Sequence, residues 1–478
     1  MIDKSVNTNI LWITISFTFL SSCFGAGLLS IPGIAVKMGI LPFIIMNLFA
    51  VSFSLFCFYQ IIQSQAQLNC KPRTMTYLIS LHYGKIWLFF FDLSIIFCLL
   101  PISYIAVSAD YFRNFLKTVA HLTVMDDPGW RMGMKFITCL CIMYPLTLIK
   151  TIKALSYIAS LSIVFVFTSV GYVIVKFGIW KSTGEIIKGI HHDAPKVPIG
   201  PLNASMIPDV LTYICMFFSL YSMHASVVCV MYEYRNDFQV KNDVIKKQIT
   251  KAIFYLTLPI AFTVYTGYGI IGVFMFDQED CKTSTIPGCL NANSNVLLSF
   301  GEDIAAVVIE LLFSIVVFVS FPCMLYPIRK SVIMFMKLDI DMNTKKGYLK
   351  YNAVGLGITL VCLFVAVFLD DVGQIQSFTA NLLGIILYAM SGVMLWYKSG
   401  QKPENVIVGL NDDENDEEQL ESNVESTKLT GETQEKAELI QHPKQITKQR
   451  TIMFWIYISL LVLLNIGAIG CQIYTWFR

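Results

Sequence analysis

The sequence predicts an all-α polytopic membrane protein with eleven transmembrane helices, ten of them in two inverted groups of five. Three observations lead to this prediction. Hydrophobic residues make up 55% of the 478-residue chain and charged residues only 14%. The charges fall in blocks between long apolar runs. The first apolar run carries Gly25, Gly27, Pro32 and Gly33 where a continuous helix would be expected.

Eleven windows of the sequence are apolar enough to cross a membrane. A hydrocarbon core of about 30 Å requires about 20 such residues in a helix. The first window is too long for a cleavable signal peptide and ends in glycines rather than at a cleavage site. The windows are 10–32, 41–66, 86–109, 132–149, 152–176, 208–231, 251–276, 304–328, 351–369, 375–397 and 452–475.

The distribution of basic residues predicts the orientation. With a cytosolic N-terminus, 24 Lys and Arg residues lie on the cytosolic side and 11 on the outer side, and cytosolic loops are the ones enriched in these residues. We therefore expect the N-terminus inside. The expected organisation is a short cytosolic tail 1–9, a ten-helix core 10–397 with repeats 10–176 and 208–397, an acidic linker 398–450 and an eleventh helix 451–478.

The acidic linker is the one long polar stretch of the chain. Its segment "NDDENDEEQLESNVESTKLTGETQEK" has too few apolar residues to bury a core. We interpret the linker as a disordered cytosolic tether, and a regulatory or partner-binding segment is the alternative.

Helix breaks are predicted at corresponding places in the two groups of five. Because five is odd, a second copy of the first group enters the membrane in the opposite orientation, and such repeats typically carry one discontinuous helix each. The first window has its break at Gly25 to Gly27. The sixth has small and polar residues, including Ser219, Ser222 and His224, near its centre. We therefore expect discontinuous first and sixth helices.

A broken helix within a membrane indicates a binding site. Unpaired backbone groups cost several kcal/mol in hydrocarbon, so unwound chain persists only where protein or a water-filled cavity satisfies it. A half-helix that begins after Gly27 presents N–H groups to a carboxylate, and one that ends near Phe24 presents carbonyls to a cation. Together they suit the two charged ends of an α-amino acid. The alternative is a glycine notch for close helix packing.

Three stretches carry a family resemblance. "FGAGLLSIPGIAVKMG" resembles the Gly-x-Gly-x-Leu-x-x-Pro motif that opens the amino acid/auxin permease family. "MFFSLYSMHASVVCVMYEYRN" is similar to the family's segment of His followed by Tyr-x-Glu. "VVIELLFSIVVFVSFPCMLYPIRKSV" resembles its Pro-x-x-x-(Phe/Tyr)-Pro-x-Arg ending. The resemblance implies eleven spans in the five-plus-five inverted-repeat transporter fold, with amino acids as substrates.

The same resemblance implies a substrate site and an ion site. The substrate would contact backbone of the first break, the sixth window between Ser219 and His224, and a cavity lined by Tyr104. The first-break residues are Gly25, Ala26, Gly27 and Leu28. A coupling cation would lie between Ser21 and Phe24 on one side and Ser320 on the other. Sodium-coupled relatives have asparagine in place of Ser21, so coupling to protons or to sodium stays open.

Ionisable residues inside the windows are candidates for proton coupling, because a buried charge is costly there. His224 titrates near physiological pH when unperturbed, and a neutral histidine that hydrogen-bonds to a neighbouring helix is the alternative. Glu310 and Asp92 each lie about two turns into a window. Each is either a proton site or one member of a static pair.

Other motifs give little support to an enzyme. The "HHD" stretch at 191–193 lacks the spacing of a membrane acyltransferase and further metal ligands nearby. We expect no metal site, no cofactor beyond a coupling H⁺ or Na⁺, and no nucleic-acid partner. Cys281 and Cys289 fall in a predicted outer loop and are a candidate disulfide pair, with two free thiols as the alternative.

The sequence supports two hypotheses of function. The first is a monomeric secondary active carrier in the lipid membrane, coupled to a proton or sodium gradient. Small neutral amino acids are its expected substrates, and an auxin-like, aromatic or cationic substrate is the alternative. The second is an amino-acid sensor that signals through the acidic linker. Plasma membrane and vacuolar or lysosomal membrane both remain open.

Overall fold

Helices make up nearly all of the chain that the computed structural model describes. Several predicted features lie outside this part: His192 and Asp193 of the "HHD" stretch, the loop with Cys281 and Cys289, and most of the acidic linker. The described residues are 8–24, 27–84, 86–87, 89–91, 101–148, 152–187, 190–191, 197–201, 207–221, 223–238, 241–278, 295–300, 303–336, 338, 340, 344–368, 380–381, 389–399 and 448–477.

The described residues of the first half form seven helices and a short hairpin. A π-helical segment Ile137–Met143 and the turn Tyr144–Leu146 continue the sixth of these helices. The helices are α1 Thr8–Cys23, α2 Gly27–Met38, α3 Ile40–Gln67, α4 Met75–Tyr83, α5 Pro101–Val119, α6 Pro128–Phe136 and α7 Ile152–Thr183, and the antiparallel hairpin pairs β1 Glu185–Ile187 with β2 Ile190–His191.

The second half is also helical. A π-helical segment Ala252–Thr257 joins its third and fourth helices into one rod. A short 3₁₀ turn lies at Val296–Phe300 in this half, and another lies at Thr123–Asp126 in the first half, between α5 and α6. The helices are α8 Ile207–Leu220, α9 His224–Phe238, α10 Asn242–Lys251, α11 Leu258–Met275, α12 Ile304–Phe335, α13 Lys345–Phe368, α14 Ser391–Lys398 and α15 Lys448–Phe477.

Seven stretches of the described chain are long and apolar enough to cross a membrane, and a bent pair of helices adds an eighth. The third and tenth predicted windows are described only in part. The seven are Ile40–Gln67, Ile163–Thr183, Thr212–Arg235, Asn242–Met275, Ile304–Ile333, Lys345–Phe368 and Lys448–Gln472.

Both predicted breaks coincide with helix ends. Helix α1 ends at Cys23 and α2 begins at Gly27, and the two meet at an angle of 58°. Helix α8 ends at Leu220 and α9 begins at His224. Each first half-helix therefore ends in backbone carbonyls without an intrahelical partner.

The helix packing brings the two breaks towards the same interior. Helix α11 packs along α2, while α12 packs against both α5 and α7. Gly272 makes the first contact close, because a Cβ atom there would lie 2.5 Å from Cβ and 2.7 Å from Cα of Pro32. Helix α15 packs against α8 at the periphery, where most of its surface is exposed.

Candidate functional site

One tyrosine hydroxyl joins the ends of both broken helices. Tyr265 in α11 is completely buried, and its Oη donates to the carbonyl oxygen of Cys23 at 2.7 Å. The same Oη lies 3.1 Å from the carbonyl oxygen of Leu220. Cys23 is the last residue of α1, and Leu220 is the last residue of α8. The two carbonyl ends are therefore within reach of one small polar group.

A second hydrogen-bonded chain supports the break between α8 and α9. The Tyr221 hydroxyl donates to Oδ1 of Asn47 in α3 at 2.7 Å. The Asn47 amide nitrogen donates in turn to Oγ1 of Thr266 at 2.8 Å. Asn47 is fully buried. These bonds satisfy polar groups that would otherwise be costly at this depth, and they fix the unwound residue Tyr221 against two neighbouring helices.

Aromatic rings enclose the polar centre. The Phe24 ring makes edge-to-face contacts with Tyr265 at 5.7 Å and with Phe167 of α7 at 6.2 Å between centroids. The Tyr221 ring contacts Tyr265 in the same manner at 5.5 Å. Tyr104 of α5 lies close enough to Tyr265 for an electrostatic interaction. We refer to Cys23, Phe24, Tyr104, Leu220, Tyr221 and Tyr265 as the break cluster.

Some residues of the predicted substrate site lie at or beside the break cluster. Gly27 begins α2 and its carbonyl accepts a hydrogen bond from Ser30 at 2.9 Å, while Leu28 is fully buried. Ser219 immediately precedes Leu220, but its hydroxyl donates to the Met216 carbonyl of its own helix at 2.7 Å. Gly25 and Ala26 lie outside the described residues.

His224 is directed towards α3. It begins α9, is 1% exposed, and its ring stacks on Phe58 with centroids 4.2 Å apart and an interplanar angle of 28°. His224 stands at the break in the sequence, yet its ring stacks on Phe58 of α3 and not on Tyr265. The geometry fits a packed histidine beside the break.

The predicted ion-site residues differ in their hydrogen bonding. Ser21 donates to the Thr18 carbonyl of its own helix at 2.9 Å. Phe24 contributes its backbone N–H to the Leu20 carbonyl at 2.8 Å, which extends α1 by one bond. Ser320 in α12 is 3% exposed, and its Oγ has no hydrogen-bond partner among the described residues. Both serine oxygens keep lone pairs that a cation could use, and the two differ in that the Ser21 proton has an acceptor whereas Ser320 has no hydrogen-bond partner in the described chain.

Glu310 lies in a separate polar network between α5 and α12. It is fully buried, and its Oε2 accepts a hydrogen bond from the Asn114 amide at 2.7 Å. Within the described part of the chain, Oε1 has no hydrogen-bond partner. Asp110, which pairs with Arg131 at 3.5 Å, and Tyr111 lie close enough to interact electrostatically with Glu310. Asp92 lies outside the described residues.

Metal ligands are not clustered in the described chain. No group of three or more His, Cys, Asp or Glu side chains there could hold a metal ion.

A sequence model described as transmembrane amino acid transporter protein matches residues 8–272. The chain belongs to the transmembrane amino acid transporter family. The matched region includes both breaks and every residue of the break cluster. The family consists of membrane transporters, and the described chain has the long apolar helices that such a protein requires.

Curated relatives of this family member carry the name sodium-coupled neutral amino acid transporter 7. The Homo sapiens protein is 22% identical over 400 residues, which cover 79% of this chain and 77% of that protein. The Rattus norvegicus protein is 24% identical over 401 residues, with the same coverage. The Danio rerio protein is 24% identical over 276 residues, 56% of this chain and about half (52%) of that protein.

Two solved structures share the fold. Crystal structures of the Eremococcus coleocola manganese transporter match with TM-scores of 0.55 for a histidine-to-alanine mutant and 0.54 for a complex with an aromatic bis-isothiourea compound. They cover 99% and 98% of this chain, and 89% and 87% of theirs, at 13% and 12% identity. The likeness at this identity concerns the fold alone.

Sequence reasoning missed the residues that connect the two breaks in this transporter. Asn47 offered a signal, because it is the one asparagine of the second window and lies in its strongly apolar first half, whereas the glutamines Gln60, Gln63 and Gln65 stand near its C-terminal end. Tyr265 offered none that distinguishes it from Tyr268, since both stand in "VYTGYGIIG" of the seventh window. Only the packing of α11 decides which phenol reaches the carbonyls.

Proposed function

We propose that this member of the transmembrane amino acid transporter family is a secondary active carrier of small neutral amino acids. One observation carries the proposal: the carbonyl ends of two broken helices lie within 2.7 and 3.1 Å of the same hydroxyl group. Broken helices that meet in a membrane interior form the sites of many transporters. The names of the curated relatives, which specify neutral amino acids, support the same substrate class.

The break cluster offers complementary groups for both ends of an amino acid. The carbonyls of Cys23 and Leu220 are acceptors that suit an ammonium group. The N-terminus of α2, which begins at Gly27, presents backbone N–H groups and the positive end of the helix dipole to a carboxylate. The rings of Phe24 and Tyr221 bound the space beside them. A small apolar side chain fits such a wall better than a charged one.

The transport cycle in this proposal is alternating access in a five-plus-five inverted repeat. The first, second, sixth and seventh spans rock as a bundle against the rest, with the N-terminus in the cytosol. Glu233 in α9 contacts the Tyr326 hydroxyl at 3.2 Å and the Lys330 ammonium at 3.9 Å, both in α12. These contacts link the proposed bundle to the scaffold on the predicted cytosolic side. They would have to break each time that side opens.

Coupling to a proton or to sodium would use one of two buried oxygen sites. Glu310 suits a proton, because the carboxyl group is fully buried and only one of its oxygens has a partner among the described residues. Ser320 suits sodium, because its buried hydroxyl lacks a hydrogen-bond partner in the described chain. The names of the sodium-coupled relatives favour sodium at Ser320. The presence of Ser21 where sodium-coupled relatives have asparagine favours a proton at Glu310. Either ion must stabilise the substrate-bound state more than the empty one.

The test is uptake into liposomes. The purified full-length protein is reconstituted, and uptake of a labelled amino-acid panel is measured under a proton gradient alone and under a sodium gradient alone. We expect uptake of small neutral amino acids under one of the two gradients. Glu310→Gln should abolish uptake in the first case, and Ser320→Ala should weaken it in the second.

Two results would contradict the proposal. Absence of both binding and uptake for every amino acid tested would refute it. Binding without flux under either gradient would instead favour the sensor hypothesis, in which the acidic linker carries the signal.

A further inference from the structure

The hydroxyl of Tyr265 occupies the position that the proposed function gives to the ammonium group of the substrate. It lies between the carbonyls of Cys23 and Leu220, which end the two half-helices. We propose that Tyr265 is a positioning residue that substitutes for the substrate's ammonium group in the empty carrier and is displaced when an amino acid binds. This inference rests on the proposed function.

The chemistry of the donors makes the exchange favourable. A phenol has one proton, so Tyr265 can donate one full hydrogen bond although two carbonyls are in reach. The geometry agrees, because the bond to Cys23 at 2.7 Å is shorter than the contact with Leu220 at 3.1 Å. An ammonium group has three donors and a positive charge, so it can bond to both carbonyls at once. The ammonium group of an amino acid can therefore form more and stronger hydrogen bonds with these carbonyls than the Tyr265 hydroxyl can.

The hydroxyl also has a role when no substrate is present. Carbonyls left unpaired in a membrane interior are costly, and the rings of Phe24 and Tyr221 pack against the Tyr265 ring beside these carbonyls. Tyr265 satisfies the end of α1 and approaches the end of α8, so the empty site needs neither substrate nor an ordered ion there. A carrier that returns empty requires such a substitute. A molecule without an ammonium group would have no means of displacing it.

The experiment compares Tyr265→Phe with Tyr268→Phe in the full-length protein. Tyr268 stands one turn further along α11, is 1% exposed, and has no hydrogen-bond partner for its Oη among the described residues. Equilibrium binding of labelled L-alanine and L-serine is measured, with propionate as the ammonium-free analogue of alanine. Tyr265→Phe removes the competitor, so we expect binding of both amino acids to tighten by roughly 2- to 10-fold. Binding of propionate should not change, and Tyr268→Phe should behave as the wild type.

Several outcomes would overturn the inference. Weaker amino-acid binding by Tyr265→Phe would make the hydroxyl a direct ligand of the substrate. Unchanged binding, or an equal change in Tyr268→Phe, would remove any role for competition. Failure of the wild type to bind either amino acid would instead refute the proposed substrate class, and the inference with it. The wild-type measurement therefore separates the two failures.

A spectroscopic measurement covers the case in which Tyr265→Phe does not fold. Difference infrared spectra of the wild type, with isotope-labelled tyrosine, are recorded before and after addition of L-alanine. Displacement of the Tyr265 hydroxyl from the Cys23 carbonyl predicts a shift of a tyrosine C–O band. A spectrum without any tyrosine signal would overturn the inference.

Discussion

The contact between α2 and α11 allows a sharp test of the packing around the first break. Gly272→Ala would place a methyl group 2.5 Å from Cβ and 2.7 Å from Cα of Pro32. Carbon atoms in good contact lie about 3.5 to 4.0 Å apart. The two helices would have to separate by roughly 1 Å. Rotation of a side chain cannot relieve the clash, because one atom belongs to the backbone and the other to a rigid ring.

The expected cost follows from measured effects of overpacking. An extra methyl group in a well-packed interior typically destabilises by about 1 to 3 kcal/mol. Replacement of glycine by alanine within a helix also contributes about 0.5 to 1 kcal/mol of stabilisation. Gly267→Ala in the same helix isolates that second effect, since no described atom lies within 4 Å of a Cβ there. The difference between the two variants should therefore be close to the full cost of the clash.

The assay is the apparent melting temperature of both variants in detergent. We expect Gly272→Ala to melt several degrees below the wild type and Gly267→Ala to melt at or slightly above it. Uptake by Gly272→Ala should also fall, because α2 supplies one side of the proposed site. Equal melting temperatures for the two variants would show that α2 and α11 are not held as closely as the structure places them.

Three further predictions concern the site, the coupling and a histidine on a short helix between the second and third windows. Gly27→Val should abolish transport without preventing membrane insertion, because its side chain would fill space beside the start of α2; normal uptake by a well-expressed variant would contradict this. Glu310→Gln should remove proton-driven uptake while amino-acid binding persists. Uptake by this variant under a proton gradient would exclude Glu310 as the coupling group. His82 in α4 is hydrogen-bonded to Ser64 at 2.8 Å, and burial, followed by the charge of Lys398, lowers its pKa from 6.5 to about 4. Between pH 6.5 and 4 this histidine is therefore protonated in the unfolded chain but neutral in the folded protein. The free energy of unfolding should fall by up to about 3 kcal/mol as the pH is lowered through this range. His82→Gln should reduce that loss in melting curves recorded across this pH range, and an unchanged loss would assign it to other groups.

The position of the first break could be predicted because its causes are local. Glycine lowers helix stability wherever it stands, and a pair of glycines around Ala26 in an apolar run needs no partner to interrupt a helix. The helix ends at Cys23 and the next begins at Gly27, as the sequence predicts. The sixth window has no glycine at its break, yet α8 ends at Leu220. There the hydrogen bond between Tyr221 and Asn47 supports the unwound residue.

Sequence position alone was a weaker guide to which side chains meet. His224 stands at the second break, but its ring packs on Phe58 in α3. Glu310 was recognisable as a costly charge in an apolar run, while its partner Asn114, 196 residues away, was not. Hydrophobic periodicity indicates that a helix is buried, but it does not give the rotation that selects one neighbour over another.

The sequence by itself determined that the chain spans a membrane through many helices and that the first of them is interrupted. Both properties follow from apolar run length and from glycine, which act over a few residues. Only the tertiary structure decided that the carbonyls of Cys23 and Leu220 share the hydroxyl of Tyr265. Tyr265 is 242 residues from Cys23, and a bond over that separation exists only after α11 has packed against α2. The composition of each helix leaves that packing open, because many rotations bury an apolar surface equally well.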